Sequence, residues 1–191
     1  HSIKGGSVAD FDVVRGSAAT RVNAEGLIED VATNIPRIDY STGEGVILTE
    51  PQSTNLIPYS EDFSNGSWLK GSSTTVTSGV SSPDGGDNAF NIFMPDSSGT
   101  FLKKEFIGLS GTYTISFWAK SNTTTQLNAY NLSGVGSTTT INITNTWERY
   151  YITGVASSSF GVGVDNIGEL NVDLFGFQLE NQSYATSYIP T

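Results

Sequence analysis

The sequence predicts an all-β protein: an antiparallel β-sandwich of jelly-roll type, with an N-terminal extended or hairpin segment packed on it. Three observations carry this expectation. Short runs rich in β-branched and aromatic residues recur, broken about every 10–15 residues by Gly, Asn, Ser or Pro. No window shows the 3.6-residue apolar period of an amphipathic helix. The 191 residues include 25 Ser, 22 Thr, 21 Gly and 14 Asn but only 15% charged residues, the opposite of what helical bundles and coiled coils use.

In chain order, residues 1–50 hold the short β-prone pieces Phe11-Asp-Val-Val14 and Gly45-Val-Ile-Leu48, with turn signals at 24–26 and 41–45. Pro36 pushes Ile35 toward extended geometry. This stretch reads as an extended segment with a hairpin, and residues 51–191 as the sandwich. Ile35, Ile38, Val46, Ile47 and Leu48 are apolar enough to be expected in contact with that sandwich. Thr74–Thr77 and Asn88–Phe93 are expected as strands flanking a turn at 81–86. Phe101–Ile107 is the next strand. Tyr113–Lys120 is the clearest, alternating β-branched and aromatic residues. Gln126–Leu132, Ser137–Thr144, Trp147–Val155 and Asn171–Leu179 follow.

Composition excludes several functions. Nineteen acids against nine bases leave a net charge of −10, and only Lys103-Lys104 pairs two bases. Such a chain repels nucleic acid and anionic membrane surfaces. No apolar run is long enough to span a bilayer, and residues 1–20 lack the apolar core of a signal peptide. There is no Cys, and the single His is His1, so disulfides, thiolate nucleophiles and histidine-based catalysis are not expected. Paired carboxylates are the remaining catalytic option. The acidic pairs Glu61-Asp62 and Asp84/Asp87 sit in turn-like sequence, which favours a turn role over a glycosidase pair. The chain is expected not to be an enzyme.

Alternation assigns faces. In Thr112–Lys120, Tyr113, Ile115, Phe117 and Ala119 read as core; Thr114, Ser116, Trp118 and Lys120 read as outward. In the next strand Leu127 and Ala129 oppose Gln126, Asn128 and Tyr130. Trp147, Arg149, Tyr151 and Thr153 oppose Tyr150 and Ile152. Phe175, Phe177 and Leu179 read as core, opposite Gly176, Gln178 and Glu180. If these strands share one sheet, its outer face carries Trp118, Tyr130, Gln126, Asn128, Arg149, Tyr151 and Gln178. That mixture suits sugar: flat rings stack on the C–H faces of a pyranose, while amides and a guanidinium pair with its hydroxyls. The expectation is stacking by Trp118 and Tyr130, with hydrogen bonds from the others.

Several segments carry a resemblance. Arg15-Gly-Ser-Ala-Ala-Thr-Arg-Val-Asn-Ala-Glu-Gly-Leu-Ile-Glu29, Asn34-Ile-Pro-Arg-Ile-Asp-Tyr40 and Leu48-Thr-Glu-Pro-Gln-Ser-Thr-Asn-Leu-Ile-Pro-Tyr-Ser-Glu-Asp-Phe63 with Trp68 come first. Tyr113–Lys120, Thr146–Tyr150, Phe175–Glu180 and Ala185–Thr191 follow in order. Together they resemble a segment recurrent in tailed-phage and prophage virion proteins. Residues 55–180 more loosely resemble the carbohydrate-binding jelly rolls of families four and nine, found attached to xylanases and glucanases. The resemblance implies a virion-surface or tail-fibre module that attaches to a cell-surface or environmental polysaccharide, with other virion proteins as partners and a homo-oligomeric fibre as its setting. It also implies that the chain continues beyond Tyr188-Ile-Pro-Thr191. It implies a structural calcium ion held by an early acid, Glu61 or Asp62, and an Asp in the last strand. Phe175-Gly176 occupies that last position, and the nearest acid is Asp173. The alternative to glycan binding is a structural fibre module that binds no sugar.

Overall fold

The computed structural model describes residues 13–191. His1 and the Phe11-Asp12 half of the first β-prone piece lie outside the described residues, and Val13-Val14 is not in a strand. The chain divides into two compact units between Glu50 and Pro51, and among the described residues there is no helix.

The first unit holds two small antiparallel hairpins. β1 (Ala19–Val22) pairs with β2 (Ile28–Val31), and β3 (Ile38–Asp39) with β4 (Val46–Ile47). Asn23 closes the first turn: its carbonyl side-chain oxygen accepts the amides of Glu25 and Leu27. Asp39 ties the hairpins together, accepting the Val22 amide at 2.8 Å and the Ser41 amide at 2.9 Å. Arg37 is buried and ion-paired with Glu50 at 2.8 Å. Among the described residues of this unit, Ile28 and Val31 are the buried apolar ones. Ile35, Val46 and Ile47 are about half exposed. The two-residue strand β4 supplies too few neighbours to cover Val46 and Ile47.

The second unit contains β5 (Leu69–Lys70), β6 (Thr75–Val80), β7 (Ala89–Met94), β8 (Phe101–Ile107), β9 (Thr112–Lys120), β10 (Thr125–Tyr130), β11 (Thr138–Ile143), β12 (Glu148–Val155), β13 (Ser159–Asp165) and β14 (Leu170–Glu180). They form two five-stranded antiparallel sheets, in the orders β11-β10-β13-β8-β5 and β12-β9-β14-β7-β6. Inward residues of both sheets build one core, including Ile92, Leu102, Ile115, Phe117, Leu127, Phe160, Val162, Leu174 and Phe177. The all-β antiparallel sandwich is as expected.

Three details differ from expectation. β10 does not join β9 and β12; it lies in the opposite sheet, between β11 and β13. β13 has no counterpart among the expected strands, because Gly161 and Gly163 remove the outward side chains that mark alternation. Lastly, Phe175 and Phe177 do not share a face. A β-bulge interrupts the β14–β9 register between Phe175 and Gln178, and Gly176 takes φ +62° within it. The extra residue sends Phe177 into the core and leaves Phe175 beside Trp118, ring centroids 6.1 Å apart.

Candidate functional site

The outer face of the β12-β9-β14-β7-β6 sheet divides into a sealed part and an open part. The phase read from alternation holds on β9: Thr114, Ser116 and Trp118 point away from the core. Yet the first two are fully buried and Trp118 is 8% exposed. Residues 182–191 lie over them. Gln182 accepts from the Thr114 hydroxyl at 3.0 Å. Thr186 donates its amide and hydroxyl to the Glu180 carboxylate, and its carbonyl accepts from Arg149 at 2.6 Å. Gln178 accepts the Ile189 amide at 2.7 Å and donates to Ser187 O at 3.2 Å. Tyr188 sits edge-on against Trp118, centroids 5.2 Å apart, and its hydroxyl donates to Glu61 at 2.9 Å. Burial and the neighbouring Glu61 carboxylate push that phenol well above its ordinary range. Residues 55–60 complete the cover. They run beside the end of β14 that β7 does not reach, through Phe177 N to Ser60 O and Leu56 N to Leu179 O.

The expected sugar face is therefore not brought together. Trp118, Arg149 and Gln178 lie under the C-terminal strap. Arg149 stacks 4.4 Å from the Trp118 ring centroid and donates to Ser116 at 2.9 Å. Tyr151, on the same sheet, is 69% exposed and apart from the strap's hydrogen bonds. Gln126, Asn128 and Tyr130 are on the other sheet. Tyr130 is 3% exposed: its ring lies against Gly161 and its hydroxyl donates to Asp165 at 3.1 Å. Burial, then the Asp165 charge, push this phenol up as well. Gln126 and Asn128 are open to solvent or half so and pair across to Asn142 and Thr140 at 2.8 and 3.0 Å. Both rings expected to stack on sugar are thus occupied by the fold.

The three metal candidates do not converge either. Glu61 receives Tyr188, Asp62 caps its own turn through the Ser64 amide at 3.0 Å, and Asp173 accepts from Asn91 at 2.8 Å. Among the described residues no three of His, Cys, Asp and Glu gather as a metal site would require. The donor set does not fit a calcium ion at this position, and no step is assigned to one.

The open part is a row across the whole sheet. Lys120 pairs in register with Asp173, Asp173 with Asn91, and Asn91 with Thr77. Trp147, just before β12, extends the row, with Lys120 Nζ 4.9 Å from its ring centroid. Asn171, Phe93 and Thr75 form the next row outward. Phe93 points away from the core because Ile92 and Met94 point into it. The polar groups are preorganised: Asn91 Nδ2 donates at 2.8 Å to both Asn171 and Asp173, and Lys120 lies 3.9 Å from Asp173. On a flat sheet the edge strands β12 and β6 would be about 19 Å apart. Trp147 Nε1 nonetheless donates to Ser81 O, just past β6, at 3.2 Å. A bulge between Ser78 and Val80 re-aims the chain leaving β6 so that it crosses over the face. The row beside it is the floor of a trough, and alternation along any single strand does not reveal it, because its residues come from four strands and the residue that precedes β12.

The loop that forms this crossing depends on Asp84. Burial pushes its carboxyl up, but the Ser82 hydroxyl, the Gly86 amide and the Asn88 amide outweigh it and hold it below the usual carboxylate range. A depressed folded pKa contributes stability that is present above the unfolded value and lost as pH falls through the folded one. Melting temperature is expected to be level near neutrality and to fall below about pH 4. The Asp84→Asn variant should flatten that acid limb, and an unchanged limb would assign the acid sensitivity elsewhere.

No protein-family model matches the chain, and no curated protein matches its sequence. Solved structures are similar to it at low identity. TmCBM61, solved in complex with β-1,4-galactotriose, is 19% identical, covering 66% of this chain and 97% of its own, with a TM-score of 0.47. The CBM22-1 xylan-binding domain of Paenibacillus barcinonensis Xyn10C is 13% identical, covering 67% and 91%, with a TM-score of 0.44. The enzymatically active domain of bacteriophage CBA120 tailspike protein 4 is 19% identical over 65% of this chain, with a TM-score of 0.45, and the match spans 21% of that tailspike chain.

Proposed function

We propose that the chain is a non-catalytic glycan-binding module and that the trough on the β12-β9-β14-β7-β6 sheet is its site. The observation that carries this is the row Trp147, Lys120, Asp173, Asn91 and Thr77, with Phe93 and Asn171 beside it. Two partly exposed rings bracket a set of fixed donors and acceptors. A sugar chain offers both matching surfaces, C–H faces and hydroxyls, and needs no titrating group for recognition. The virion surface remains the proposed setting on the strength of the ordered sequence segments; antibody against the purified chain labelling intact phage particles would test it.

A glycan array of the purified chain is the first measurement, followed by titration of any ligand found. Dissociation constants from micromolar to millimolar are expected, about −8 to −4 kcal/mol. Trp147→Ala and Phe93→Ala should each weaken binding by about 1–3 kcal/mol, by analogy with base–aromatic stacking. Gln126→Ala with Asn128→Ala, on the other sheet, should leave it unchanged. A blank array at millimolar glycan would favour a structural module. Release of reducing ends would make the chain a hydrolase and end this reading.

A further inference from the structure

A buried lysine on the second unit has no carboxylate in salt-bridge contact among the described residues. Lys104 takes an inward position on β8, between Leu102 and Phe106, and is 5% exposed. Its ammonium donates to Ser67 Oγ at 2.6 Å and lies 5.0 Å from the Trp68 ring centroid and 6.0 Å from that of Tyr59. Ion pairs among the described residues include Arg21–Glu29, Arg37–Glu50, Lys103–Glu105 and Lys120–Asp173, and Lys104 belongs to none of them. An ammonium has three donors. One reaches Ser67, and the described residues offer the other two no acceptor. The nearby Lys70 makes the position more cationic, its own donors being taken by the carbonyls of Ser64, Asn65 and Trp68. Burial first, then the Lys70 charge, lower the affinity of the Lys104 amine for its proton.

A cation is costly to bury without an anion, and two ring faces compensate it only in part. The loop beside it is also held in an unusual shape. Tyr59 has φ +55°, a left-handed conformation that is an outlier for a bulky residue, and the Trp68 indole pins it by donating to Tyr59 O at 3.0 Å. The effect is to stand a ring that is 51% exposed next to the ammonium. Ser67 and Lys70 are at the surface on the same side.

We propose that Lys104, Ser67 and Tyr59 form a second binding site, separate from the trough, for the carboxylate of an acidic sugar residue. The ammonium and the hydroxyl bind the carboxylate, and the Tyr59 ring stacks on the sugar that carries it. The choice of a sugar as carrier rests on the glycan-binding reading; the carboxylate preference rests on Lys104 alone. A chain of net charge −10 repels acidic polysaccharide at long range, so a local cationic site is what would let it hold one.

The test titrates the full chain with glucuronate, glucose, acetate and inorganic phosphate, following the Lys104 side-chain resonances by NMR in a chain labelled at lysine. Glucuronate is expected to shift them and to bind more tightly than acetate, while glucose leaves them unmoved. Lys104→Met, close in volume and apolar, should weaken glucuronate by about tenfold or more. Tyr59→Ala, at an exposed position, should bring glucuronate down to the affinity of acetate, and Trp147→Ala should change neither. Equal binding of glucose and glucuronate, phosphate binding more tightly than both, or no shift with any probe would each overturn the proposal. Because Trp147→Ala reads the trough alone, loss of that site leaves the Lys104 result standing.

Discussion

Replacing Tyr188 by alanine is expected to destabilise the sandwich by about 3–5 kcal/mol, in the range for deleting a buried aromatic ring. In a unit of this size that lowers the melting temperature by roughly 10–15 °C. Tyr188 is 3% exposed, although only three residues follow it in the sequence as given. It touches Trp118 and Phe175, with centroids at 5.2 and 5.5 Å, and fills the space that Gly176 leaves by having no Cβ. A Cβ on Gly176 would come within 3.0 Å of the ring. Its loss would also leave the Ser60 and Glu61 side chains without the phenol they meet at 3.0 and 2.9 Å. Tyr188→Phe, which keeps the ring, should cost about 1 kcal/mol. Tyr151→Ala, exposed on the same sheet, should stay within about 0.5 kcal/mol of the parent. Urea unfolding measures all three. A Tyr188→Ala variant as stable as Tyr151→Ala would mean that the strap is not part of the folded unit.

Gly163→Ala should be still more damaging, more than about 4 kcal/mol or failure to fold. A Cβ there would lie 2.1 Å from Leu102 O and 2.8 Å from Lys103 Cα, both backbone atoms of β8. That strand cannot step aside, because it is paired with β13 on one edge and β5 on the other. The φ of +139° adds strain for any L side chain. Gly161→Ala, two residues away, is the control. Its Cβ would meet only the Tyr130 side chain, at 3.3–3.4 Å, and a ring can shift. A cost of about 1–2 kcal/mol is expected there. Soluble yield and urea midpoints of the two variants decide the matter, and equal stability would contradict the close approach of β13 to β8.

The segments that carry the phage resemblance gain a physical reading from this arrangement. Residues 55–63, Tyr113–Lys120, Phe175–Glu180 and Ala185–Thr191 come together around β9 and the end of β14, with Ile57, Phe63 and Phe177 in the core and residues 185–191 on the outer side. Asn55 is their junction. It donates to Phe177 O at 3.1 Å and Ile189 O at 3.0 Å, and accepts the Leu179 amide at 3.1 Å. Glu180 similarly joins Ser53, at 2.6 Å, to Thr186. These side chains hold the cover in place, so the resemblance they carry is accounted for by folding without any ligand.

What the sequence by itself determined is local. Composition pointed to strands rather than helical bundles, and period-two alternation separated Ile115 and Phe117 from Ser116 and Trp118, as the core confirms. Alternation works because neighbouring Cβ atoms must point to opposite faces of a strand. Only the tertiary structure decided which strands became neighbours, and that moved Gln126, Asn128 and Tyr130 to the other sheet. Pairing depends on contacts between residues far apart in the chain, and many similar β-prone runs leave it open. Likewise, a side chain pointing out of the sandwich is exposed only if no other segment covers it. Trp118 points outward and is buried because Tyr188, seventy residues later, closes over it, while Trp147 and Phe93 remain partly open because nothing comparable does.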